Sequence, residues 1–258
     1  MNEGQTTQII DDIMHGSKRA AARLISIIEN NEEGASELLA ECKAIKSKLT
    51  SKARIIGITG PPGAGKSTLT DQLAKHLIRT QKKVGIIAVD PSSPISGGAF
   101  LGDRIRMSDL NAEKDIFIRS MSTRGALGGI SKAVDGGLSV LEVFGMDVIF
   151  IETVGVGQSE VDVASVADMV VLVTLPGMGD DIQAEKAGIL EIADIIVVNK
   201  ADHKDANRTL HDLKSMLGHN GKSLSGAPDI EILSTIATEG KGVSELLEAI
   251  HRRYEHVE

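Results

Sequence analysis

RIIGITGPPGAGKS, residues 54–67, decides the fold. An apolar, β-branched run ends at Gly60 and turns through two prolines and three glycines. It then opens a helical stretch at Lys66 and Ser67. Gly60 through Ser67 fits G-x-x-x-x-G-K-S in the strand–turn–helix context that a phosphate-binding loop requires. Glycines there let backbone N–H groups close around phosphate oxygens. Gly60, Gly63, Ala64, Gly65, Lys66, Ser67 and Thr68 are therefore the candidate phosphate contacts. Lys66 would reach the β- and γ-phosphates, and the Ser67 hydroxyl would ligate Mg2+. The bland alternative is a glycine-rich turn, which the complete motif and its context disfavour.

Outward from this loop the chain alternates regularly. Apolar runs of strand length lie at 54–60, 83–90, 115–121, 147–155, 169–175, 194–200 and 229–235, with helical stretches between them. Runs apolar nearly throughout suit parallel strands covered on both faces. Their alternation with helices predicts an α/β fold, a doubly wound and mainly parallel sheet. Residues 6–49 read as two helices broken by NNEEG at 30–34. The expected division is a helical extension over 1–50 and a nucleotide-binding domain over 51–258.

Composition narrows the function. A net charge of −8 and 2% aromatic residues without Trp argue against nucleic-acid binding, which uses basic surfaces and stacking faces. The single cysteine, Cys42, excludes an internal disulfide and a multi-cysteine zinc site. Apolar runs such as MVVLV at 169–173 are far below a ~20-residue membrane span. The start, MNEGQTTQIIDD, lacks the basic flank and apolar core of a signal peptide. A cytoplasmic protein without membrane or nucleic-acid partners is expected.

NKAD at 199–202 follows the strand run DIIVV and fits the guanine-reading pattern N-K-x-D. The Asp202 carboxylate would accept from guanine N1–H and the exocyclic amine. Asn199 would meet the other base edge, and the Lys200 stem would cover the ring. Adenine lacks that amine, and sites built on such pairing discriminate strongly. The alternative is a helix N-cap aspartate.

Three carboxylates, Asp90, Asp103 and Glu152, stand at or beyond the ends of strand runs, where they suit a magnesium shell or water orientation. Asp103 reads equally as a cap for a helix starting near Arg104. Arg124, in STRGALGG at 122–129, is a candidate for phosphate or part of an N-capping turn. In IETVGVGQSE, 151–160, Glu152 stands where a Ras-like loop has aspartate, and Val156 where that loop has its water-positioning glutamine. Val156 cannot orient water, and nothing in the spacing places Gln158 in line. Slow hydrolysis completed by a partner is the expectation.

At this point the chain resembles the MeaB/ArgK family of P-loop GTPases, which includes the human methylmalonic aciduria type A protein. The matching segments are GPPGAGKST, VDPSSP, GGAFLGDRIRM, RGALGG, IETVGVGQSE, LPGMGDDIQAEKAG and VNKAD, within roughly residues 15–250. The resemblance implies a signal-recognition/MinD/BioD-type fold, with GTP/GDP and Mg2+ as ligands. It also implies a chaperone that gates cofactor loading and protection of an adenosylcobalamin-dependent acyl-CoA mutase, chiefly methylmalonyl-CoA mutase. A cobalamin adenosyltransferase is a second implied partner. A homodimer is implied too, in a family whose members continue into a helical arm beyond the last residue here. By resemblance Lys66, Asp90, Asp103 and Glu152 form the catalytic set, and Ser67, Asp90, Asp103 and Glu152 surround the metal. Gly155, Gly177, Gly179, Asp180, Asp181, Gln183 and Lys186 would form the switch that reports nucleotide state. The acids of GMGDD read alternatively as caps for a helix near Ile182. Of the last base-contacting motif, present as TIAT at 235–238, Ala237 carries over.

Two other functions compete. A nickel-insertion metallochaperone would want His- or Cys-rich tracts, and the chain has seven scattered histidines and one cysteine. A transport-coupled ATPase or small-molecule kinase would not want NKAD.

Overall fold

A computed structural model of the chain describes residues 3–90, 113–122, 132–153, 155, 159–178, 187–220 and 230–255. All seven apolar runs are strands: β1 (Arg54–Thr59), β2 (Val84–Asp90), β3 (Ile116–Ser122), β4 (Val148–Thr153), β5 (Met169–Thr174), β6 (Ile195–Val198) and β7 (Glu231–Ser234). They form one sheet in the order β3-β2-β4-β1-β5-β6-β7. The pairs β2–β3, β1–β5, β5–β6 and β6–β7 are parallel. Every residue of β4, β5 and β6 is buried, as strands covered on both faces must be. The edge strand β7 is only partly buried.

The helices are α1 (Glu3–Met14), α2 (Lys18–Asn30), α3 (Ala35–Lys46), α4 (Lys66–Arg79), α5 (Lys132–Val143), α6 (Ser159–Asp162), α7 (Ala187–Ile192), α8 (Ala206–Asn220) and α9 (Val243–Glu255). The N-terminal stretch holds three helices where periodicity predicts two. The extra break lies at Gly16 and Ser17. Ser17 is the N-cap of α2, its Oγ accepting from the Ala20 N–H at 3.2 Å. A serine cap preceded by glycine is a local signal that the apolar spacing alone does not show.

Contacts divide the chain into two compact units, Met1–Ile55 with Leu77–Ile151, and Ile56–His76 with Glu152–Glu258. In the first, α2 and α3 pack on α5, and α1 on α2. A 13-residue helix is marginal alone in water, so tertiary burial must hold α2. Leu24, Ile25, Ile27 and Ile28 supply that burial, at about 1.5–3 kcal/mol for each fully buried side chain. A half-buried polar junction sets the register of α2 on β3. Arg119 Nη2 donates to Glu29 Oε2 at 2.9 Å and to Ser26 Oγ at 3.0 Å. Glu29 Oε1 accepts from the Ser122 N–H at 3.2 Å. Shifting the helix would leave a half-buried charge without its partner, which costs more than keeping the pair. Burial pushes the Cys42 thiol up to about 12, with Glu41 adding to the rise, so Cys42 is inert packing.

In the second unit Leu172, Ala193, Ile196, Val198 and Leu213 form a buried cluster, with Leu190, Leu210 and Met216 against it. The residues that bear on nucleotide chemistry and are described lie in this unit, apart from the backbone of Asp90.

Candidate nucleotide site

β1 ends at Thr59, and the loop from Gly60 turns into α4 at Lys66. Two of the loop's glycines sit where a side chain would collide. At Gly60, with φ +134°, a Cβ would collide with the Val173 carbonyl oxygen. At Gly65, with φ +90°, it would collide with the Asn199 amide nitrogen. The loop therefore presses against both β5 and the residue after β6, a closeness no side chain allows.

Lys66 is buried, and its Nζ donates to the carbonyls of Gly60 at 2.8 Å and Pro61 at 3.1 Å. The ammonium is thus fixed in the concave loop, where positive charge favours an anion. A Cβ at Gly155 would come within 2.7 Å of the same Nζ, so the start of the glycine-rich segment after β4 also lies on the cradle. Beneath it, the buried Thr153 and Thr59 hydroxyls are hydrogen-bonded at 3.1 Å.

The Ser67 hydroxyl donates to Glu152 Oε1. Glu152 ends in a buried carboxylate at the carboxyl end of β4, and Ser67 is the second residue of α4. A hydroxyl and a carboxylate meeting beside an anion cradle are the hard oxygen donors that magnesium selects.

Asn199 occupies the junction of three segments. Its Nδ2 donates to the Ala64 carbonyl of the loop at 2.8 Å. Its Oδ1 accepts from Thr235 Oγ1 at 3.0 Å and from the Ala237 N–H at 3.1 Å. Both oxygen lone pairs and one N–H are thereby engaged within the protein, leaving a single N–H for a base edge. Alongside the expected base contact, Asn199 is a tie holding the phosphate loop, the end of β6 and the turn after β7 in one geometry. Lys200 and Asp202 continue from this anchored residue and are exposed, as is Thr68. Lys200 adopts φ +55°. Ala237 is buried beside Asn199.

Thr235 is a site residue that sequence reasoning missed. It stands two residues before Ala237, and only its contact with Asn199 reveals its role. Thr209 is another: its Oγ1 accepts from the Gly177 N–H at 2.9 Å, fastening the start of the expected switch to α8. The backbone of Asp90 closes β2 opposite Ser122. Asp103, Arg124, Val156, Gln158, Gly179, Asp180, Asp181, Gln183 and Lys186 lie outside the described residues.

Asn199→Ala removes three buried hydrogen bonds and leaves the Ala237 N–H and Thr235 hydroxyl without an acceptor. The expected loss is about 2 kcal/mol of stability, given 1–3 kcal/mol for each polar group stranded by such a deletion and partial relaxation. Urea denaturation with and without nucleotide measures it; a stability within 0.5 kcal/mol of wild type, as an order-of-magnitude threshold, excludes the tie.

A parallel sheet, a glycine cradle around a buried lysine, a Ser–Glu oxygen pair and an anchored N-K-x-D define a P-loop protein of the GTPase class. The chain belongs to the MeaB family. The family model described as "Methylmalonyl Co-A mutase-associated GTPase MeaB" matches residues 21–258. A putative GTPase of Pyrococcus abyssi is 49% identical over 97% of this chain and 76% of its own length. The GTPase ArgK of Escherichia coli is 36% identical over 97% of this chain and 76% of its own. The mitochondrial methylmalonic aciduria type A homolog of Mus musculus is 34% identical over 95% of this chain and 61% of its own. Among solved structures, an LAO/AO transport system kinase superposes with TM-score 0.80 at 29% identity, covering 99% of this chain and 76% of that one. HypB from Helicobacter pylori, in complex with nickel, superposes with TM-score 0.59 at 15% identity over 84% of this chain and 95% of that one, a likeness of fold alone.

Proposed function

We propose that this GTPase hydrolyses GTP slowly and that its output is a conformational message to an adenosylcobalamin-dependent acyl-CoA mutase, in the first place methylmalonyl-CoA mutase. The observation that carries the nucleotide part is the Asn199 junction, which couples the guanine-reading turn to the phosphate loop. Ser67 and Glu152 would hold Mg2+, joined by Asp90 and Asp103. Held there, Mg2+ would supply charge neutralisation to the phosphates. Lys66 holds positive charge in the cradle, and the loop amides orient the phosphates. Asp202 selects the base.

The mutase assignment rests on the family description and on the mouse relative's name. The same reading includes cytoplasmic location, a homodimer, a cobalamin adenosyltransferase as second partner, and the 1–50 helices as an extension of a 51–258 GTPase domain. No described helix is long and apolar enough to cross a membrane. A nickel-insertion role draws only on likeness of fold.

GTP turnover with and without saturating methylmalonyl-CoA mutase from the same host tests the reading. Severalfold stimulation is expected in wild type. Lys186→Ala is expected to bind GTP as wild type does and to lose most of that stimulation, because Lys186 lies on a glycine-rich segment suited to an order–disorder switch. No stimulation of wild type removes the mutase assignment. Equal stimulation of both proteins removes Lys186 from the switch and leaves the assignment standing.

A further inference from the structure

Asp202 is exposed, and among the described residues no hydrogen bond or ion pair reaches its carboxylate. Two hydrogen bonds to a guanine edge require one carboxylate orientation, and an exposed aspartate has two freely turning side-chain bonds. Something outside NKAD must bias it. The turn after β7 supplies a charge. The Ala201 N–H donates to the Thr235 carbonyl at 3.0 Å, and the Ile236 N–H donates to the Lys241 carbonyl at 3.0 Å. Those two backbone bonds place Lys241 one step beyond the residue that anchors the NKAD turn. Ala201, Thr235, Ile236, Lys241, Gly242 and Glu245 share a cavity of about 300 Å³. The turn is stiff. Gly240 and Gly242 take φ +70° and +77°, and a Cβ at Gly242 would collide with the Ser234 carbonyl oxygen.

The Lys241 ammonium is held on Glu239 Oε2 at 2.6 Å. No ion pair joins it to Asp202, yet both carboxylates hold its proton more tightly, Glu239 first and Asp202 after it. This arrangement has a use. A direct Lys241–Asp202 pair would occupy the oxygens that a base needs. An ammonium held on Glu239 leaves those oxygens open while its charge biases the carboxylate toward one orientation.

We propose that Lys241 is a positioning residue of the base site, held off by Glu239 and acting through Asp202 to raise discrimination for the exocyclic amine of guanine. The proposal rests on reading Asp202 as the base acceptor. Inosine triphosphate differs from GTP only by that amine, so the ratio of the two affinities reads the contact directly.

The experiment is calorimetric titration of GTP and inosine triphosphate into wild type, Lys241→Gln, Lys241→Arg and Glu239→Gln, at low and high salt. Exposed charge interactions shift equilibria by a few-fold at most. Lys241→Gln is therefore expected to lower the GTP-to-inosine ratio about threefold, with inosine triphosphate affinity unchanged. Lys241→Arg restores the ratio. Glu239→Gln lowers it too, because Lys241 then closes on Asp202. High salt narrows the difference between wild type and Lys241→Gln. An unchanged ratio in Lys241→Gln, an equal loss for both nucleotides, or failure of arginine to restore it overturns the proposal. A wild type that binds both nucleotides equally overturns the Asp202 reading itself, and that result is visible in the wild-type arm alone.

Discussion

Asp202→Asn is expected to weaken GTP binding by about a hundredfold and to make xanthosine triphosphate the preferred nucleotide. The carboxylate accepts from two guanine donors, N1–H and the exocyclic amine. An amide keeps one acceptor and presents a donor at the other position. That donor clashes with the guanine amine and matches the xanthine carbonyl. A fully buried recognition group of this kind rejects mismatched partners by 10⁴–10⁵. Asp202 is exposed, so water compensates part of the loss, and about a hundredfold is the appropriate scale. Calorimetric titration of GTP, ATP and xanthosine triphosphate into both proteins checks it. ATP bound as tightly as GTP by wild type would remove the base assignment altogether.

Glu152→Gln and Ser67→Ala are expected to lower magnesium-dependent GTP turnover by roughly a hundredfold to a thousandfold, a loss of several kcal/mol in transition-state charge stabilisation. Ser67→Ala removes one of the two oxygen ligands that meet beside the Lys66 cradle, and Glu152→Gln removes the negative charge of the other. Thermal stability should change far less. Ser67 is only partly buried, and the glutamine keeps the volume and one acceptor of Glu152. The measurement pairs turnover at saturating Mg2+ with a melting curve. Turnover near the wild-type rate in Glu152→Gln would take that carboxylate out of the metal shell, and a collapse of both quantities would make its role structural.

The seven strands were legible because a parallel strand buried on both faces is a continuous apolar run, and each such run here is bounded by turn residues. The phosphate loop was legible because glycine spacing, the lysine and the following helix are all local. The third N-terminal helix was missed because apolar residues continue at helical spacing on both sides of Gly16–Ser17, and a cap is a single-residue signal. Asn199 was assigned to the base because its motif is defined by the residues beside it. The partners that tie its side chain within the protein come from elsewhere in the chain.

The sequence by itself determined the strand–helix alternation, the phosphate cradle, the N-K-x-D turn and membership of a GTPase family. Each is written in residues within a few positions of one another, where backbone geometry and side-chain period act directly. Only the tertiary structure decided which groups those motifs meet. Ser67 reaches Glu152 across 85 positions, and Asn199 reaches Ala64 across 135. Sequence pattern records what each residue is suited to do. Partners so distant are set by sheet order and strand register, which follow from burying all the apolar faces at once.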